Sequence, residues 1–539
     1  MRPHRRPPAA PGPARRLPGP DARRPDARRS APARSAASGG SRDAAPPDRA
    51  ALPALPALPA SPRRSGRGSR RLAWGLALLT VVATACGGGG AGSGASAGSG
   101  PSRSGLGDPY FPRAGNGGYD VAHYDLDLAY DPGPHHLTGT ATVTARATED
   151  LPALNLDLWG LDVEKVTVDG TPARFGREGQ ELTVRPRTPL RRDATFRVTV
   201  RYSGSPVTVT DPDGSEEGWL RTADGALALG QPTGSMAWFP GNHHPSDKAT
   251  YRLTLTVPQE LRAVSNGEPD GEETRDGRRV QRWRVREPMA SYLAVVAVGR
   301  YETHRTRTAR GLPVHTAVDP EEREAGRRAL ARLPEVLEWA ERRFGPYPFA
   351  SAGAIVERPG DAGYALETQN RPVFPGAPDT GLLVHEIAHQ WYGNSVSPAS
   401  WRDMWLNEGF ATYAEWLWQE EHGGDSAQQT FDALYDGTYF ADAEANEAVW
   451  AFPPARPPGA AQISGVPVYQ RGAMVLHRIR QTVGDDAFDA LLRGWARRHR
   501  HGTAGTADFT AYVEQQAPDH DFGTVWADWL HGTGKPARP

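Results

Sequence analysis

Leu383-Val384-His385-Glu386-Ile387-Ala388-His389-Gln390-Trp391, with Trp405-Leu406-Asn407-Glu408-Gly409-Phe410 a short way downstream, decides how this chain is read. On a helix His385 and His389 stand one turn apart and point the same way, so both imidazoles reach one metal ion. Glu386 lies beside them and is not needed as a ligand. It is placed to take a proton from a water that zinc acidifies towards neutrality. Eighteen residues separate His389 from Glu408. From a second helix Glu408 supplies a third ligand and leaves one coordination position open, as a catalytic centre holding one Zn2+ per chain requires.

With these residues in view, the chain resembles the aminopeptidase N family of zinc metallopeptidases. His385-Glu386-x-x-His389, Trp391-Tyr392-Gly393-Asn394 and Trp405-Leu406-Asn407-Glu408-Gly409-Phe410-Ala411 match its zinc motif closely. Tyr364-Ala365-Leu366-Glu367-Thr368 stands where the family has Gly-Ala-Met-Glu-Asn, and Tyr469-Gln470-Arg471-Gly472-Ala473 where it has Tyr-Glu-Lys-Gly-Ala. The similarity runs from about Tyr119 to the C-terminus. Larger members carry a helical-repeat domain beyond this point, and the expectation is that this chain lacks it and has a less enclosed site.

The stretch ahead of Tyr119 follows a different logic. Residues 1–71 hold seventeen Arg against four Asp, with no Lys or Glu, and are dense in Pro and Ala, so they build no core. Residues 1–63 are expected to be a disordered extension or the product of a start codon placed too early. Residues 64–86 have the layout of a bacterial lipoprotein signal: Arg70-Arg71, an apolar run from Leu72 to Ala85, then Cys86, the one cysteine of the chain. The run is too short to span a bilayer as a mature helix. Cys86 is thus the expected lipid-anchor site, and a lone thiol excludes internal disulfides. The Gly/Ser-rich residues 87–107 read as a flexible tether. The expectation is an exported protein held at the membrane by its N-terminal lipid.

Whole-chain charge is −1, with 62 Lys and Arg against 63 Asp and Glu. Residues 1–71 contribute about +13 (17 minus 4), so the remainder carries about −14, which argues against a nucleic-acid partner. Oligomeric state is not legible. From Tyr119 to about Ala309 the pattern has period two: Tyr124, Leu126, Leu128 and Tyr130, then Phe196, Val198 and Val200, then Tyr251, Leu253 and Leu255. Residues 108–309 therefore read as an antiparallel β domain of saddle or sandwich type. Within it, Trp238-Phe239-Pro240 and Asp247-Lys248-Ala249-Thr250-Tyr251 read as packing residues. Residues 310–465 read as a thermolysin-like catalytic domain, with a helix starting at Asp319-Pro320-Glu321-Glu322 and ending at Phe344-Gly345. Residues 466–539 read as short amphipathic helices that complete it. Glu408, Thr412 and Glu415 share a helix face, so Glu415 can accept a hydrogen bond from a ligand histidine.

The chemistry expected is metal-assisted amide hydrolysis with Glu386 as base. The resemblance implies that Tyr469 stabilises the oxyanion and that Glu367 holds the substrate's free ammonium. It also places Gln231, by spacing from Phe239, where the family has a second glutamate. Gln carries no charge, so the amine anchor is expected to be weaker. Release of N-terminal residues from peptides is the leading reading. An endopeptidase or narrow-specificity peptidase, and a catalytically silent peptide-binding lipoprotein, stay open.

Overall fold

The computed structural model describes residues 104–538. Cys86, the N-terminal extension, the signal and all but the end of the tether lie outside the described residues. The period-two runs form the strands expected of them. Tyr119–Asp131, His136–Ala147, Thr195–Gly204 and Lys248–Pro258 lie near the middle of an eight-stranded sheet. The residues that alternate in the sequence, from Tyr124 to Tyr130, Phe196 to Val200 and Tyr251 to Leu255, are buried on its inner face. A five-stranded sheet and a three-stranded sheet cover that face, with Trp219 and Trp238 fully buried among them. The large sheet is not antiparallel throughout, because Tyr119–Asp131 runs parallel to Lys248–Pro258. Those two strands are far apart in sequence. The connection passes through the smaller sheets, and a crossover of that length permits parallel pairing where a hairpin would not.

The catalytic domain begins earlier than the sequence pattern indicates. Glu302–Arg307 pairs with Pro313–Val318, which pairs in turn with Ala352–Val356 and then Val373–Phe374, giving a four-stranded sheet. A boundary at residue 309 would cut this sheet between its first two strands, so the division falls near residue 300. The helix expected from Asp319 to Phe344 is also broken. Asp319 caps it, accepting from Glu321 N at 2.8 Å, but a single 3-10 turn, Arg323–Leu330 and Leu333–Phe344 follow in succession. Leu333, Val336, Leu337, Trp339, Ala340 and Phe344 bury the last of these helices. Beyond residue 466, Gly472–Val483, Asp485–Arg498 and Thr506–Gln516 are helices, and Met474, Leu476, Ile479, Phe488, Leu491, Leu492 and Trp495 face the core. Among the described residues, no helix is long and apolar enough to cross a membrane.

Candidate active site

The helix Thr380–Ala388 begins where the Asp379 side chain accepts from Leu382 N at 2.9 Å. It carries His385 and Glu386, and His389 is the residue that ends it. Trp405–Glu421 packs against this helix and presents Glu408 from its first turn and Glu415 two turns further on. The donor atoms of His385, His389 and Glu408 all lie within 4.8 Å of one another. His385 Nε2 is 3.2 Å and His389 Nε2 3.4 Å from Glu408 Oε2.

The opposite nitrogen of each ring is tied down. His389 Nδ1 lies 3.0 Å from the carbonyl of Tyr392, an acceptor only, so Nδ1 carries the proton. His385 Nδ1 lies 2.7 Å from Glu415 Oε1, where the expected acceptor stands. Both rings therefore turn Nε2 inward, the arrangement in which a histidine ligates through Nε2. The electrostatics agree with a cation at this point. Burial works against charge on the His389 ring, but the carboxylates of Glu408 and Glu367 outweigh it and lift the ring to about 9. Burial likewise works against the Glu408 carboxylate, yet the two histidines hold it down to about 2. Glu386 is buried, its Oε2 has no hydrogen-bond partner among the described residues, and burial pushes the carboxyl up to about 8. Two imidazole nitrogens, one carboxylate and an unpartnered buried base fit a catalytic zinc.

Tyr469 reaches the site by a close backbone approach. Gly409, next to Glu408, meets Gly472 so tightly that a Cβ on either would lie about 3 Å from backbone atoms of the other. That contact brings the π turn Pro467–Arg471 against the Glu408 helix. The Tyr469 ring stacks beside His385 at 6.1 Å between centroids. Burial, reinforced by the carboxylates of Glu408, Glu367 and Glu386, holds its hydroxyl well above the usual phenol range, so it stays a proton donor.

Glu367 is buried, and Gln231 Nε2 donates to its Oε1 at 2.8 Å. The two residues come from different loops, one after the strand Ala226–Leu229 and one before Val373–Phe374, 136 positions apart in sequence. Atoms of Glu367, Glu386 and His389 also lie within 4.8 Å of one another, so this pair borders the metal cluster. Three residues of the surroundings were not singled out as site residues from the sequence. Asn394 Nδ2 donates to the Glu367 carbonyl at 2.6 Å, Tyr292 Oη donates to the Gly393 carbonyl at 3.0 Å, and Lys248 reaches the same loop. Asn394 sits in a stretch quoted from the sequence, but its partner is set only by the tertiary fold.

Residues 378–529 match the peptidase family M1 domain and residues 121–293 the peptidase M1 N-terminal domain. The M1 zinc metallopeptidase of Deinococcus radiodurans has a crystal structure that superposes with a TM-score of 0.72 at 29% identity, covering 81% of this chain and 99% of that one. A mutant of that enzyme, 30% identical to this chain over the same coverage of both chains, has been crystallised with a Tyr-Ser-Ala substrate. The chain belongs to peptidase family M1. Leukotriene A-4 hydrolase of Xenopus laevis is 26% identical over 455 residues, 78% of this chain and 72% of that protein. Aminopeptidase 2 of Candida albicans is 24% identical over 77% of this chain, which spans 47% of that protein. Zinc is accordingly the metal of this M1 peptidase, and its donor set stands ready for it.

Proposed function

We propose that this M1 peptidase is a zinc-dependent aminopeptidase that releases single residues from the N-termini of peptides. The observation that carries this reading is the position of Glu367 within 4.8 Å of Glu386 and His389, measured between their ligand atoms. A carboxylate so close to the base leaves room for one substrate residue between a bound ammonium and the scissile carbonyl. A peptide extended beyond its first residue on the amino side would bring a neutral amide, not an ammonium, to the Glu367–Gln231 pair. Bound at His385, His389 and Glu408, zinc would supply the Lewis acidity that polarises the carbonyl and acidifies water.

The chain's own side chains divide the remaining work. Glu386 accepts the water proton and passes it to the leaving amine. Tyr469 donates its hydroxyl proton in a hydrogen bond to the developing oxyanion. Glu367 takes the ammonium in a charge-assisted hydrogen bond, and Gln231 orients that carboxylate through the amide it donates. Glu415 and the Tyr392 carbonyl keep the two imidazoles in their ligating tautomer. For location, the basic pair, apolar run and Cys86 support export and anchoring by an N-terminal lipid, with peptides met at the outer membrane surface.

The test compares free-amine and N-acetylated aminoacyl reporters on the full chain, alongside metal analysis. One zinc per chain with a strong preference for the free amine is expected. Equal rates on both would make the protein an endopeptidase, and no rate on either would leave the peptide-binding reading.

A further inference from the structure

Lys248 opens the strand Lys248–Pro258 at the edge of the β domain and points out of that domain into the catalytic one. Its Nζ donates to three main-chain carbonyls: Asn394 at 2.8 Å, Ser395 at 3.0 Å and Gly502 at 3.1 Å. No carboxylate is among these partners. Loss of water around the ammonium pushes it down to about 7, and its three acceptors favour keeping the proton. The neighbouring Asp247 is turned away, accepting from Val121 N and Asn242 Nδ2. His501 is the titratable ring nearby, held down to about 4 by burial and then by Arg500 and Lys248. A cation set among carbonyls without a counter-ion is a costly way to fill space, so its partners are the informative feature.

Those partners belong to one loop with two outputs. Residues 392–395 follow directly on the metal-motif helix. The Tyr392 carbonyl fixes the His389 ring through Nδ1, and Asn394 Nδ2 holds the Glu367 carbonyl. Gly393 between them has φ +128, and a Cβ there would stand 3.2 Å from His389 Nδ1, so the loop has no slack against the ring. Its backbone is restrained from the β domain by two donors, Lys248 Nζ and the Tyr292 hydroxyl on the Gly393 carbonyl. The third Lys248 acceptor, Gly502 O, also accepts from Ser397 N at 3.0 Å, which closes the far end of the loop.

We infer that Lys248 is a positioning residue through which the β domain sets the registration of the metal ligand His389 with the amine anchor Glu367. The amine-anchor half of this inference rests on the aminopeptidase reading; the metal half does not. Without the ammonium, the 395 carbonyl loses its donor and the 394 carbonyl keeps only the Ser397 hydroxyl at 3.2 Å, so the loop relaxes away from both His389 and Glu367. The β domain then has a stake in catalysis beyond carrying Gln231.

The test uses the full zinc-loaded chain with Lys248→Met, which keeps length and removes the donors, and Tyr292→Phe, which removes the hydroxyl that donates to the same loop. Zinc transfer to a coloured chelator is followed by absorbance, and KM and kcat are measured on a free-amine reporter. Partners that orient a metal ligand are worth about 10–100-fold in metal affinity, and Lys248 acts one bond further out, so zinc release about tenfold faster is expected. KM for the free-amine reporter should rise several-fold in both variants, with a larger proportional change than in kcat. The double variant should lose less than the product of the two, because both act on one loop. Unchanged zinc release and unchanged KM in folded Lys248→Met would overturn the inference, whatever its melting temperature. If Lys248→Met does not fold, unchanged values in Tyr292→Phe overturn it instead. Faster zinc release with no free-amine preference in the parent enzyme would uphold the metal half and sink the aminopeptidase reading alone.

Discussion

Glu367→Gln is the substitution that bears most directly on what this enzyme cleaves. It keeps the size and planarity of the side chain and removes its charge. One oxygen of the Glu367 carboxylate accepts from Gln231 at 2.8 Å, which leaves the other oxygen to meet a substrate ammonium. Burial raises the carboxyl above its ordinary value, so the free site holds its charge reluctantly and an arriving ammonium restores it. Losing one charge-assisted hydrogen bond costs about 1.5–3 kcal/mol, which converts to roughly 10- to 150-fold in kcat/KM. The loss should fall on free-amine reporters and leave N-acetylated ones within about twofold, since those never make the contact. Zinc content should not change, because Glu367 lies outside the three-ligand cluster of His385, His389 and Glu408. Gln231→Ala removes only a neutral donor and should cost about 0.5–1.5 kcal/mol, and the double variant should be non-additive since the side chains touch. Parallel losses on free and acetylated substrates, or no loss on either, would refute the idea that Glu367 reads the ammonium.

Glu386→Gln should retain one zinc by metal analysis while turnover falls by about 10² to 10⁴, and turnover near the parent value would exclude it as the base. Tyr469→Phe should lower kcat by about 10²-fold with KM little moved, because its hydroxyl acts on charge that develops in the transition state; a pure KM effect would make it a binding residue. Glu415→Gln should weaken zinc by about 10- to 100-fold in chelator competition through its 2.7 Å contact with His385, and unaltered affinity would reduce it to a surface carboxylate. Cys86→Ser should shift the protein from the membrane fraction to the soluble fraction, and mass spectrometry showing an unmodified thiol in an uncleaved chain would remove the lipid anchor.

What the sequence discloses is what local periodicity and short motifs can encode. Tyr124, Leu126 and Leu128 announce a half-buried strand because a pleated chain turns alternate residues inward, and the structure buries all three. The parallel partner of that strand begins at Lys248, and nothing in either segment names the other, since pairing between distant strands is settled by the whole sheet. The break after Leu330 escapes for a different reason. Ala331-Arg332 carries no glycine or proline, and only Pro334 just beyond it hints at a new helical first turn. The boundary near residue 300 is missed because Glu302–Arg307 is polar throughout, with no apolar alternation to show which sheet it joins, and it pairs with the strand after it.

The site divides along the same line. His385, Glu386 and His389 are legible because their chemistry is written in helical spacing, Glu408 because a second motif downstream carries it, and Glu415 follows from the face it shares with Glu408. Gln231 and Glu367 could be placed only by resemblance, and their direct contact is a product of two domains meeting. Lys248 read as a packing residue, and its three carbonyl partners lie 146 to 254 positions away. Gly409 and Gly472 show why a motif can be matched without being understood. Gly409 follows Glu408 and Gly472 lies three residues after Tyr469, yet the reason for a missing Cβ at each is the other glycine. The two motifs are therefore one structural requirement: Tyr469 reaches the metal cluster only if both backbones are bare at the point where they cross. Alanine at either position should push the π turn away from Glu408 and depress kcat while leaving the zinc ligands in place.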